Sequence, residues 1–129
     1  MRYVLIFTFM LLSFPVFAAE WTWNKGDTVR EVIGLGLTVV DWGQTNDIAS
    51  RKNWIELNPI LSQRPTRKEV REYFTYVMIL HPLVSLALPA EVKIFGFKTK
   101  PRMAWQYIYI GVEGTATSSN VCGGLRVTF

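Results

Sequence analysis

Asp41-Trp42-Gly43-Gln44-Thr45, running on to Glu56-Leu57-Asn58-Pro59-Ile60-Leu61, is where the fold of this chain is decided. The first part places a carboxylate, an amide and a hydroxyl inside an otherwise apolar run. The second adds another carboxylate at a turn. Working upstream, Val32 to Val40 is apolar apart from Thr38, and Gly34 and Gly36 leave room for a second helix to approach closely. Extended from Val29 to Ala49 the run reaches 21 residues, long enough to span a bilayer. Arg30 and Glu31 would then lie at one interface and Asp47 at the other, leaving Asp41 as the deep charge. On a helix Thr38, Asp41, Thr45 and Ile48 share a face, with Gln44 beside them. A lone carboxylate at mid-bilayer costs about 2.5–3.5 kcal/mol, so Asp41 is expected to face protein, to pair, or to be protonated.

Upstream again, Trp21 and Trp23 just before this run fit an interfacial belt, and Asp27 or Thr28 is expected to cap the helix. Met1-Arg2, the apolar Tyr3 to Phe17, and Val16-Phe17-Ala18 read as a secretory signal peptide over residues 1–18, cut after Ala18 or Ala19. The other reading is an uncleaved signal anchor. Residues 19–129 then form one domain.

Downstream, Ser50 to Arg71 is a connecting region rich in Lys and Arg. Asn58-Pro59 predicts a cap and a short helical turn. Thr66-Arg67-Lys68-Glu69 is a capping box that sets a helix start near Arg67. Tyr73 to Ala90 carries no charge other than what His81 can take up, and Pro82 is expected to kink it. Glu91 to Arg102 reads as a short polar link. Met103 to Leu125 has Glu113 as its one charge, with Gln106, Glu113, Thr117 and Asn120 at helical spacing.

These observations predict an all-α membrane protein: a three-helix transmembrane bundle with helices about 29–49, 67–89 and 103–125. Its buried polar cluster would be Asp41, Gln44, Thr45, His81, Gln106, Glu113 and Asn120, with Glu56 and Asn58 at the loop edge. Lys and Arg are more numerous in Ser50–Arg71 than in Glu91–Arg102. That places the chain in a bacterial inner membrane, mature N-terminus periplasmic and C-terminus cytoplasmic.

Asp41-x-x-Gln44-Thr45 followed by Glu56-x-Asn58-Pro59-x-Leu61 resembles a pattern in small uncharacterised bacterial and phage helical membrane proteins, D-x-x-[QS]-T and then E-x-N-P. His81, Leu88-Pro89, Trp105-Gln106 and Glu113 are similar to the same pattern, which covers Val29 to Gly124. Ser62 departs from it, a glycine being expected after the leucine. The resemblance implies a helical membrane fold and supplies no activity.

Composition narrows the function classes. Of 129 residues half are hydrophobic and 19% charged, with net charge +4. The basic residues are dispersed and the aromatics lie in apolar runs, which argues against a nucleic-acid partner. Cys122 is the single cysteine and His81 the single histidine, so no metal site is expected. There is no nucleophile elbow, phosphate loop or haem motif, and no cofactor is expected. The expected partners are a lipid bilayer and another membrane protein or a second copy of the chain. The leading functional expectation is a structural or accessory role in a larger membrane assembly rather than that of an enzyme. One alternative is an intramembrane enzyme or a proton- or cation-linked site using Asp41, His81 and Glu113. Another is a periplasmic or outer-membrane β protein, for which Trp105–Val112 and the tail Val121, Leu125, Val127 and Phe129 supply strand-like patterning.

Overall fold

The computed structural model describes residues 19–129, and the signal segment expected over 1–18 lies outside them. In chain order the elements are β1 (Ala19–Glu20), α1 (Lys25–Ser50), α2 (Arg67–Ala87), β2 (Glu91–Ile94), β3 (Phe97–Thr99) and α3 (Pro101–Cys122). The three helices pack with α1 in contact with both α2 and α3, while the strands form a small antiparallel sheet in the order β1-β2-β3.

Each helix starts at a side-chain signal. Asn24 caps α1: its side chain accepts from the Asp27 amide and the Asp27 carboxylate accepts from the Asn24 amide, both at 3.0 Å. The helix therefore begins at Lys25 rather than at Val29. Thr66 and Glu69 make the capping box read from the sequence, and α2 opens at Arg67. Pro101 occupies the first turn of α3, where a missing N–H costs nothing. Pro82 lies within α2, which continues to Ala87.

The segment Glu91–Arg102 is a hairpin rather than a link. Val92 pairs with Thr99, Lys93 with Lys98 and Ile94 with Phe97 around a two-residue turn. Phe95 and Gly96 both take positive φ, +50° and +85°, the geometry of a tight primed turn. Trp105–Val112 is part of α3. Asn58 closes a hydrogen-bonded turn, not a helix: its Oδ1 accepts from the Ile60 amide at 3.0 Å.

After α3 the tail folds back along α1. The Thr128 amide donates to the Gly43 carbonyl at 3.0 Å and the Asn46 side chain donates to the Thr128 carbonyl at 3.3 Å. Gly43 is required by this approach, because a Cβ there would overlap Val127 Cγ1 and come within 3.3 Å of the Thr128 nitrogen.

The interior is polar. The buried hydrophobic residues are Ile48, Val70, Phe74 and Leu125, while Asp27, Glu31, Thr38, Asp41, Gln44, Thr45, His81, Ser85, Arg102, Gln106 and Glu113 are buried with them. The outer faces are apolar, with Val32 on α1, Leu83 on α2 and Ile108 on α3 all more than half exposed.

The expected transmembrane bundle is overturned, and with it the all-α class, the inner-membrane placement and the assigned sidedness. No helix of the described residues is long and apolar enough to cross a membrane. The physical reason differs by helix. In α1 Arg30 and Glu31 on one side and Asp41, Gln44, Thr45, Asn46 and Asp47 on the other leave too short an apolar run. The first turns of α2 are charged, which shortens its apolar stretch to Tyr73–Ala87. In α3 the run from Gly111 to Asn120 is diluted by glycine, serine and threonine.

Candidate functional site

A polar seam runs the length of the helix packing. Along α1 it is Asp27, Glu31, Gly34, Thr38, Asp41, Thr45 and Ile48, alternating steps of four and three. Arg102, Gln106 and Glu113 carry it on α3, and Val70, Phe74, His81 and Ser85 on α2. Such spacing ordinarily makes an apolar heptad seam. Here it aligns titratable groups instead, and they divide into two lobes.

In the lobe beside the sheet, acids and bases match. Arg102 is fully buried and is held by five acceptors. Its Nε donates to the Ser85 and Leu88 carbonyls at 2.9 and 3.0 Å. Its Nη1 donates to the Thr22 carbonyl at 2.8 Å and Asp27 Oδ2 at 3.2 Å, and its Nη2 to the Trp21 carbonyl at 3.4 Å. The guanidinium also lies 5.0 Å over the Trp23 ring. Arg30 joins Asp27 to the seam, donating to Asp27 Oδ1 at 2.5 Å and Gln106 Oε1 at 2.9 Å. Burial works to raise the Asp27 carboxyl, but the Asn24 amide, Arg102 and Arg30 outweigh it and hold it below its usual value.

Gln106 Nε2 donates to Glu31 Oε2 at 2.9 Å, and Glu31 Oε1 takes a 2.7 Å hydrogen bond from His81 Nδ1. The His81 ring is stacked between Trp105 and Tyr109, at centroid distances of 5.2 and 3.6 Å. Burial lowers its pKa from 6.5 against the opposing pull of Glu31. His81 is accordingly a neutral ring with its proton on Nδ1, and its Nε2 has no hydrogen-bond partner.

Tyr109 and Thr38 connect the lobes. Thr38 Oγ1 donates to the Gly34 carbonyl at 3.0 Å and accepts from the Tyr109 hydroxyl. Gly34 makes this possible, since a Cβ there would stand 2.9 Å from the Tyr109 ring. Gly36 meets nothing within 4 Å and plays no such part.

The second lobe is acidic and unmatched. Asp41, Glu56 and Glu113 approach one another from α1, the following loop and α3, and none forms an ion pair among the described residues. Asn120 Nδ2 donates to Asp41 Oδ1 at 2.8 Å. Glu56 Oε1 accepts from the Asn58 amide at 2.8 Å, a hydrogen bond within the loop that fixes the carboxylate's orientation. Burial, reinforced by the Glu56 charge, pushes Asp41 from 3.8 to about 6. Burial and the Asp41 charge push Glu113 from 4.5 to about 7. Tyr73 of α2 is raised by its burial and by all three carboxylates, against the hydrogen bond from Asn58. Glu113 Oε2, Glu56 Oε2, Gln44 Oε1 and Thr117 Oγ1 are buried without partners.

The expected site residues are therefore inward-facing, but they do not form one cluster. Asp41, Glu113 and Asn120 come together with Glu56 and Asn58 at their edge, while Gln44 donates to the Thr117 carbonyl of α3 at 3.4 Å. Thr45 is buried on the same face of α1. His81 and Gln106 belong instead to the matched lobe. Sequence reasoning missed the roles of Asp27, which it read only as a helix cap, of Arg30 and Glu31, which it placed at an interface, and of Arg102, which it placed in a link, and it missed Tyr73 and Tyr109. The signal for the two acids was the continuation of the four-and-three spacing back through Glu31 to Asp27. No group of three or more His, Cys, Asp or Glu side chains able to hold a metal ion occurs among the described residues. In comparisons with known proteins, no family model, no curated protein and no solved structure matches this chain.

Proposed function

We propose that the chain is an accessory helical protein whose working part is a proton-linked carboxylate pair, Asp41 and Glu113. The observation that carries this reading is the contrast between the lobes. Asp27 and Glu31 are matched by Arg102, Arg30, Gln106 and His81, whereas Asp41 and Glu113 face each other with no cation and with Glu113 Oε2 unpartnered. Two buried like charges in that position favour one shared proton near neutrality. Uptake and release of that proton would then set how tightly α1, α3 and the Glu56–Asn58 loop pack.

An accessory role is supported by the outer faces. Val29, Val32 and Ile33 of α1, Ile79, Leu83 and Leu86 of α2, and Ile108 and Val112 of α3 are exposed. Apolar surface of this extent is normally covered in use. Sedimentation alone and with vesicles distinguishes a second copy from lipid as the cover.

Side-chain carboxyl titration by 13C NMR tests the proton-linked pair. Two carboxyls titrating above the usual acid range are expected, with Asp41→Asn abolishing one of the two titrations and lowering the other. Ordinary titration of every carboxyl would overturn the proposal.

A further inference from the structure

A separate cavity of about 430 Å³, half open to solvent, lies where α1 ends and α2 begins, lined by Ile48, Arg51, Lys52, Trp54, Arg64 and Thr66 among others. Its volume is that of a small-ligand site. Every charged side chain on its wall is a cation. Arg51 has its charge partly used, by Asp47 Oδ2 at 2.6 Å, and lies 5.7 Å over the Trp54 ring. Lys52 and Arg64 are exposed and form no ion pair among the described residues. Arg67 joins the rim, its Nη2 donating to Ser50 Oγ at 3.0 Å.

The acids nearby are already engaged. Asp47 accepts from the Arg126 amide at 2.9 Å as well as from Arg51, and Glu69 is turned back onto the Thr66 amide at 2.7 Å. The carbonyl end of α1 brings partial negative charge to the cavity, and Arg51 and Arg67 stand against it.

We propose that this cavity binds a phosphate group, with Lys52 and Arg64 as its principal ligands and Arg51 and Trp54 as its wall. Two unpaired, long cationic side chains at the mouth of a cavity that lacks a free carboxylate supply charge-assisted donors for a phosphate oxygen set. The same loop carries Ile55, Leu57 and Ile60 exposed to solvent, Leu57 at 90%. A basic cavity beside an apolar loop tip suits a phosphate that projects from an apolar surface, as a lipid headgroup does, as well as a free phosphate.

Calorimetric titration of the full chain with inorganic phosphate and pyrophosphate, paired with flotation on phosphatidylcholine vesicles with and without phosphatidic acid, tests this. Saturable, salt-sensitive binding is expected, weakened about tenfold by each of Lys52→Gln and Arg64→Gln. Lys98→Gln, on β3, is expected to leave it unchanged, and circular dichroism checks that the variants fold. Binding of the free anions assigns a soluble phosphate, and binding to the anionic vesicles alone assigns a headgroup. Absence of saturable binding to all of these probes overturns the proposal. So does equal binding by the Lys52→Gln/Arg64→Gln double variant, or an equal loss in Lys98→Gln.

Discussion

Replacing Glu113 by glutamine keeps the shape of the side chain and removes one of the two charges buried between α1 and α3. Glu113 is raised from 4.5 to about 7 in the folded protein. A carboxyl raised on folding binds its proton more tightly in the native state, so its effect on stability is most favourable below pH 4.5. It is lost as pH climbs through about 7, and beyond that the native state carries the full penalty of the buried charge. Each tenfold in proton affinity corresponds to about 1.36 kcal/mol, which makes that penalty about 3 kcal/mol. Part of it is repulsion from the Asp41 charge rather than burial, and solvent at the Glu56 edge screens the pair. The net gain from Glu113→Gln above pH 7 is therefore about 2 kcal/mol. Below pH 4.5, where both forms are neutral, the two proteins should be nearly equal in stability. Urea unfolding followed by circular dichroism across this window measures the difference directly. Stability curves that stay parallel for wild type and variant would refute the reasoning, since a penalty that does not change with pH is not a titrating carboxylate.

Gly43→Ala places a methyl group against Val127 and the Thr128 backbone and should destabilise by about 1–3 kcal/mol, with lost protection at the Thr128 amide. Gly36→Ala, in open space on the same helix, should be neutral or stabilise by up to about 1 kcal/mol in the same urea assay. Arg102→Met strips Asp27 of its buried partner and leaves four carbonyls without their donor, for an expected loss of about 3–5 kcal/mol in urea unfolding. His81 should titrate below 6.5, with its proton on Nδ1 at neutral pH, and nitrogen NMR of the ring reads both.

What the sequence shows of this fold is local, and what it hides is which side of a helix a residue faces. The Thr66–Glu69 box is legible because both partners lie within one turn and their chemistry is reciprocal. The turn at Asn58 is legible for the same reason, although it closes without becoming a helix. Hydropathy averaged around the helices suggests spans, because Val29, Val32 and Ile33 count the same whether they face inward or outward. The actual burial of α1 follows its polar stripe. The hairpin escapes because Phe95-Gly96 lacks the usual Asn-Gly signal, and Phe95 takes a positive φ that a bulky side chain rarely adopts. Arg102 reads as a loop cation, since nothing local announces that Trp21, Thr22, Ser85 and Leu88 turn their carbonyls toward it.

The unequal lobes carry a consequence for how the molecule opens. At the sheet end the seam is held by charge-matched hydrogen bonds, and the lowered pKa of Asp27 means that end loses strength only as pH falls into the acid range. At the other end Asp41 and Glu113 lose protons as pH rises through about 6 and 7, and their repulsion acts between α1 and α3 where Asn120 bridges to Asp41. The same end carries the tail laid over Gly43 and the loop whose Glu56 charge acts on Asp41. Raising the pH should therefore release α1 from Asp41 to Ser50, together with Leu125–Phe129, while Lys25–Gly34 stays protected. Amide exchange at matched intrinsic rates above and below pH 7 reads the two halves separately. Loss of protection spread evenly along α1 would show that the seam opens as one unit, and that its matched end does not anchor the fold independently of its acidic end.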